Sequence, residues 1–128
     1  MKRLYTAMIA AAVFGTGYAA WAHEGHDHDE KAEAAQETTI RGEVVDMACY
    51  LDHGAMGEKH AQCAKTCIES GLPVGLKAEN GKTYLLIGAH KPINQEIAKY
   101  AAKTISVKGK VVTRDGINLL ENAEIVTR

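Results

Sequence analysis

The sequence predicts a mainly β domain: five strands and one connecting helix, closed as a small barrel, with a cysteine-bearing helical insert after the first strand. Three observations carry this expectation. Short runs rich in β-branched residues recur between residues 40 and 126. Asn80-Gly81 and Asp115-Gly116 fall between pairs of these runs as hairpin turns. One run, residues 92–101, has the period of a helix.

Residues 40–47, I-R-G-E-V-V-D-M, mix β-branched residues with charges and read as the first strand. Residues 49–71 break the pattern as a glycine-bearing loop, followed by a helix over 58–70 that Gly71 stops. Residues 73–78 and 83–87 flank Glu79-Asn80-Gly81-Lys82 and form strands two and three. Pro92 stands at a first helical position, and Ile93, Ile97, Tyr100 and Ala101 recur along one helix face. Residues 105–112 alternate as strand four. Asp115-Gly116 turns the chain into strand five, residues 117–126, with a bulge expected near Glu121-Asn122. The order β-β-β-α-β-β, with Gly42 and Gly109 where a small barrel must bend, is that of an OB-like barrel.

Residues 1–22 read as a cleavable signal peptide. Lys2 and Arg3 lead an apolar run that loosens at Gly15 and Gly17 and ends in Ala20-Trp21-Ala22, an A-x-A site. The run is short for a bilayer span, so the expected compartment is the periplasm, with no membrane attachment after cleavage. Residues 23–39, H-E-G-H-D-H-D-E-K-A-E-A-A-Q-E-T-T, read as a flexible tail with six acids against one Lys. Residues 40–128 form the OB-like domain. Cleavage leaves 13 basic and 16 acidic side chains, a net charge of −3, and only Tyr50, Tyr84 and Tyr100 as aromatics. Binding of single-stranded nucleic acid rests on a basic groove lined with stacking aromatics, so nucleic acid is not an expected partner.

The strongest chemical signal is Met47-Ala48-Cys49-Tyr50, then Met56, then His60-Ala61-Gln62-Cys63-Ala64-Lys65-Thr66-Cys67. His60, Cys63 and Cys67 stand at i, i+3 and i+7, within an arc of about 60° on a helix. Cys49, brought in from the end of strand one, completes a set of three cysteines and one histidine suited to zinc, while the thiolates alone suit Cu(I). Met47 and Met56 are near enough in sequence to add thioethers. Two other readings compete. In an oxidising compartment Cys49 can pair with Cys63 or Cys67 in a disulfide, leaving one thiol over; Cys63 with Cys67 is a poor pair across one helical turn. Alternatively, one helical cysteine acts as a redox thiolate. C-A-K-T-C resembles the C-x-x-x-C of Sco-type copper chaperones in spacing alone, since those proteins have a thioredoxin fold.

A second constellation lies in the tail. Cleavage after Ala22 makes His23 the amino terminus, with His26 and His28 close behind among Glu24, Asp27, Asp29 and Glu30. Imidazole and carboxylate in a flexible chain suit weak, exchangeable capture of Cu(II), Zn or Ni. His53 and His90 read as lone loop histidines. No Ser-His-Asp set, phosphate loop, haem motif or paired-carboxylate signature is present, so nothing argues positively for an enzyme.

G-E-V-V-D-M-A-C-Y-L, H-A-Q-C-A-K-T-C-I-E-S-G-L-P-V-G-L and V-K-G-K-V together resemble small exported bacterial proteins with an OB-like barrel and an inserted cysteine-bearing helix. The resemblance covers residues 40–128 and implies fold and compartment, not activity. The tail is similar to the His-rich amino termini of periplasmic copper and zinc handling proteins. The expected function is therefore binding of copper or zinc in the periplasm for homeostasis or delivery, with a second periplasmic protein as partner. Cys49, His60, Cys63 and Cys67 form the expected site, and His23, His26 and His28 load it. Protein recovered from the periplasm is predicted to begin at His23. Amino-terminal sequencing checks this, and a chain retaining Met1 contradicts it.

Overall fold

The computed structural model of the protein describes residues 37–127. The signal segment and the tail histidines His23, His26 and His28 lie outside the described residues. Ten elements follow one another: β1 (Glu37–Asp46), α1 (Met47–His53), a 3-10 turn (Glu58–His60), α2 (Ala61–Glu69), β2 (Val74–Ala78), β3 (Thr83–Leu86), α3 (Asn94–Ile97), a second 3-10 turn (Ala98–Tyr100), β4 (Thr104–Arg114) and β5 (Ile117–Val126). The strands close a barrel in the order β1-β2-β3-β5-β4. All neighbours are antiparallel except β3 and β5, which pair in parallel through Leu85↔Leu119 and Leu86↔Leu120. The expected OB-like barrel with a helical insert after strand one is the observed fold.

β1 serves two partners along its length. Its first part, Glu37 to Glu43, pairs with β4, and its second part, Gly42 to Asp46, pairs with β2. The overlap falls at Gly42 and Glu43, and at Gly42 a Cβ would stand 2.5 Å from the Lys77 carbonyl oxygen and 2.7 Å from Ala78 Cα, so only glycine lets the two ladders meet there. The strand begins three residues before the expected domain start at Ile40. Glu37, Thr38 and Thr39 are polar, but they pair with Lys110, Gly109 and Lys108, and Glu37 forms an ion pair with the Lys108 ammonium.

The bulge stands where the sequence places it. The ladder steps from Lys108↔Glu124 to Lys110↔Glu121, so β5 carries one extra residue there, and Asn122 has φ 52°. Opposite it, Gly109 has no room for a side chain: a Cβ would lie 2.6 Å from Glu121 O and 3.0 Å from Leu120 Cγ.

Alternate residues Ile40 and Val44 of β1, Leu76 and Ala78 of β2, Tyr84 and Leu86 of β3, Val107 of β4 and Leu120 of β5 fill the barrel. Ile93, Ile97, Ala98 and Ala101 add to this core from the segment around α3, and Ala64 and Ile68 add to it from α2. The helix expected over residues 92–101 is shorter in the structure, a single α turn tightened into 3-10 geometry. Its first residue is Asn94, whose side-chain amide donates to Ile68 O at 2.9 Å and Leu72 O at 2.7 Å. Those carbonyls belong to the end of α2 and the residues after it, where helix acceptors otherwise lack partners. Asn94 thus ties α2 to the core.

Gly109→Ala is expected to lower stability by about 2–3 kcal/mol through overpacking against a backbone oxygen. Gly88→Ala, where the nearest atom is Lys91 O at 3.3 Å, should cost under about 1 kcal/mol. Urea unfolding of both variants measures the difference.

Candidate metal centre

The site is assembled where β1 ends. Asp46, 2 % exposed, stops the strand with extended backbone (φ −74°, ψ 123°), and its carboxylate accepts from the backbone N–H groups of Ala48 at 3.3 Å and Cys49 at 2.9 Å. This is an N-cap, and it starts α1 within one residue of the barrel wall. Residues 47–53 are therefore helical, where the sequence pattern runs the first strand to Met47 and a loop from Cys49. Gly54, at φ 70°, closes the helix by donating its N–H to the Cys49 and Tyr50 carbonyls. Two further contacts fix α1: Met47 N–H donates to Pro73 O at 2.9 Å, and the Tyr50 hydroxyl lies 3.4 Å from the Thr83 hydroxyl on β3.

The second half of the site rides on α2. Ala64 and Ile68, four residues apart, are buried against the barrel. Cys63 and Cys67 each precede one of them and turn to the outer side; Cys63 is exposed and Cys67 half-buried. A spacing of four places the two thiols one above the other on the helix.

The two helices bring Cys49, Cys63 and Cys67 together with their sulfurs all within 4.8 Å of one another. All three are thiols, with no disulfide among the described residues. An ion about 2.3 Å from each sulfur would hold the three about 3.8–4.0 Å apart, so small side-chain rotations are enough to close the set. A group of three cysteines could therefore hold a metal ion.

His60 is not in that group. Its ring faces His53, with centroids 6.0 Å apart and planes at 56°. Met47 is buried with its sulfur over Gly75, where it leaves no room for a Cβ. Two residues of the site escape a reading of the sequence. Asp46 shows itself there only as a cap, although it also touches the Cys49 thiol, and His53 resembles a lone loop residue, although its ring nitrogen lies 3.0 Å from the Asp52 carboxylate. The spacing of His53 one helical turn after Cys49 is the available signal.

The electrostatics favour protons or a cation at the sulfurs. The Asp46 carboxylate accepts from the Cys49 thiol and, with burial and its own negative charge, pushes the pKa of that thiol up to about 12. Burial, followed by the Asp46 charge, pushes the Cys67 thiol up as well, while the neighbouring Cys49 side chain partly offsets this. Negative charge here is costly until something positive shares the space.

On the barrel side of α1 lies an open apolar groove of about 440 Å³, lined by Met47, Leu51, Pro73, Leu85 and Ile117 among others. Leu51 and Ile117 are strongly exposed, at 73 % and 61 %.

Asp46→Asn is expected to lower the Cys49 pKa, because a neutral amide no longer favours the protonated thiol. Alkylation of Cys49 followed against pH should show its midpoint move down. The fold should also respond. A pKa raised from 9.0 to about 12 gives stability that is complete below pH 9 and lost as pH rises toward 12, and the Asn variant should lose less of it on alkaline titration. Comparison of the chain with protein-family models, curated proteins and solved structures returns no match, so the reading of this site rests on its own geometry.

Proposed function

We propose that the protein binds a transition metal ion at Cys49, Cys63 and Cys67 in the periplasm, and that it serves metal homeostasis or delivery to a second exported protein. The observation that carries this reading is the convergence of three sulfurs, from two separately anchored helices, within 4.8 Å of one another. Three soft donors with no fourth side chain in the set suit Cu(I), which accepts trigonal thiolate coordination; zinc would need one further ligand. The cation supplies the positive charge that the sulfurs and Asp46 lack. The raised pKa values of Cys49 and Cys67 speak against a redox thiolate at those positions, since the thiolate is the nucleophile. The tail histidines His23, His26 and His28 would act as a weak loading segment.

Metal binding must displace the protons of Cys49 and Cys67, so at least two protons should leave per ion bound at neutral pH, and affinity should fall as pH falls. Calorimetry in buffers of different ionisation enthalpy counts them. Protein purified from the periplasm without an affinity tag and dialysed to strip the tail should retain one copper or zinc ion per chain. Replacement of any one of the three cysteines by Ser should weaken binding by at least about tenfold, as loss of a direct ligand exceeds the cost of losing a supporting contact. Absence of bound copper and zinc together with one titratable thiol overturns the proposal in favour of a structural disulfide.

A further inference from the structure

His53 and His60 are placed as a matched pair. On α1, His53 follows Cys49 by four residues, and on the other arm His60 precedes Cys63 by three. Each histidine is therefore about one helical turn along its own arm from a thiol of the sulfur cluster. The loop between the two arms is held at both ends: Gly54 N–H donates to Tyr50 O at 2.9 Å, and Gly57 N–H donates to the Glu43 carboxylate on β1. Ala55 between them is buried.

The ring separation fits a shared ion. With metal–nitrogen bonds of about 2.0–2.1 Å, an imidazole centroid lies about 3.2 Å from the ion, so two rings on one ion have centroids about 5.2 Å apart at a tetrahedral angle and about 6.4 Å apart when linear. The observed 6.0 Å is wider than the tetrahedral value by under about 1 Å, which rotation of the exposed His53 side chain is enough to close. The Asp52 carboxylate lies 3.0 Å from His53 Nδ1, placed to accept from that nitrogen while Nε2 is the ring atom on the other side. A carboxylate behind a histidine in this way is the usual support of a metal-binding imidazole.

We infer that His53 and His60 form a second metal site, a two-imidazole station for a borderline divalent ion of the zinc class, completed by water. The site shares no atom with the sulfur cluster and differs from it in softness, nitrogen against thiolate. Its use as a loading station for the thiols rests on the function proposed above; the site itself does not.

The test uses Zn²⁺ alone and a full-length chain carrying His23→Ala, His26→Ala and His28→Ala, which removes the tail ligands, and Cys49→Ser, Cys63→Ser and Cys67→Ser, which removes the thiols. Imidazole ¹⁵N resonances of His53 and His60 should shift together and saturate at one equivalent, with His90 unmoved as internal control. His53→Ala should abolish the shift at His60, and Asp52→Asn should weaken binding by about tenfold. Shifts at His53 and His60 no larger than at His90 overturn the inference. Should the six-fold variant not fold, the tail-substituted chain with its cysteines intact is titrated with ¹¹³Cd²⁺. Two resonances, one in the thiolate region and one in the nitrogen region, uphold the site, and a thiolate resonance alone overturns it. Failure of the thiol centre removes only the thiolate resonance, so the two proposals fail separately.

Discussion

Everything placed at the thiol cluster depends on one buried carboxylate. Asp46 is the last residue of β1 and the cap of α1, so a single side chain converts the direction of a barrel strand into the direction of a helix. Because its oxygens accept from Ala48 and Cys49, the Cys49 backbone has little freedom to drift, and its thiol is aimed across at α2. The same carboxylate sets the charge state of that thiol. Position and protonation therefore share one cause.

The remainder of the fold holds α2 against that fixed point. Ala64 and Ile68 bury its inner side, and Asn94 of the adjacent α3 grips its end, across 26 residues of sequence. The α3 segment thus has two duties, filling the core and clamping a helix. Gly42 and Gly109 let β1 and β4 bend around that core. Site geometry is in this sense a property of the whole barrel.

The strands are legible in the sequence because the pleat imposes a period of two and because Asn80-Gly81 and Asp115-Gly116 turn the chain only one way. The bulge at Asn122 is legible for a related reason: Glu121-Asn122 breaks an otherwise continuous strand. On α2, the spacing of Cys63 and Cys67 announces a shared face. The helix α1 is not legible, since seven residues, with the apolar ones run together from Met47 to Leu51, carry no measurable period, and its cap and closing glycine make sense only as a pair. Helical register alone assigns His60 to the sulfurs. Register along one helix does not reveal that the loop over residues 54–57 returns the chain so that the end of α1 meets the start of α2, and this is what sets His60 against His53. Glu37 to Thr39 read as tail because polar residues signal a strand only once their partners on β4 are known.

The closure of the barrel has a further consequence, one of timing. Pairing β1 with β4 joins Glu37 to Lys110, residues far apart in the chain, whereas the three cysteines lie between positions 49 and 67. Contacts that close long loops form late, and local helical contacts form early. The cysteine-bearing segment is thus local in sequence, while the barrel that fixes its final geometry closes through distant contacts. Were such a chain to fold in an oxidising compartment, metal binding and disulfide formation would compete for the same three sulfurs before the finished site exists.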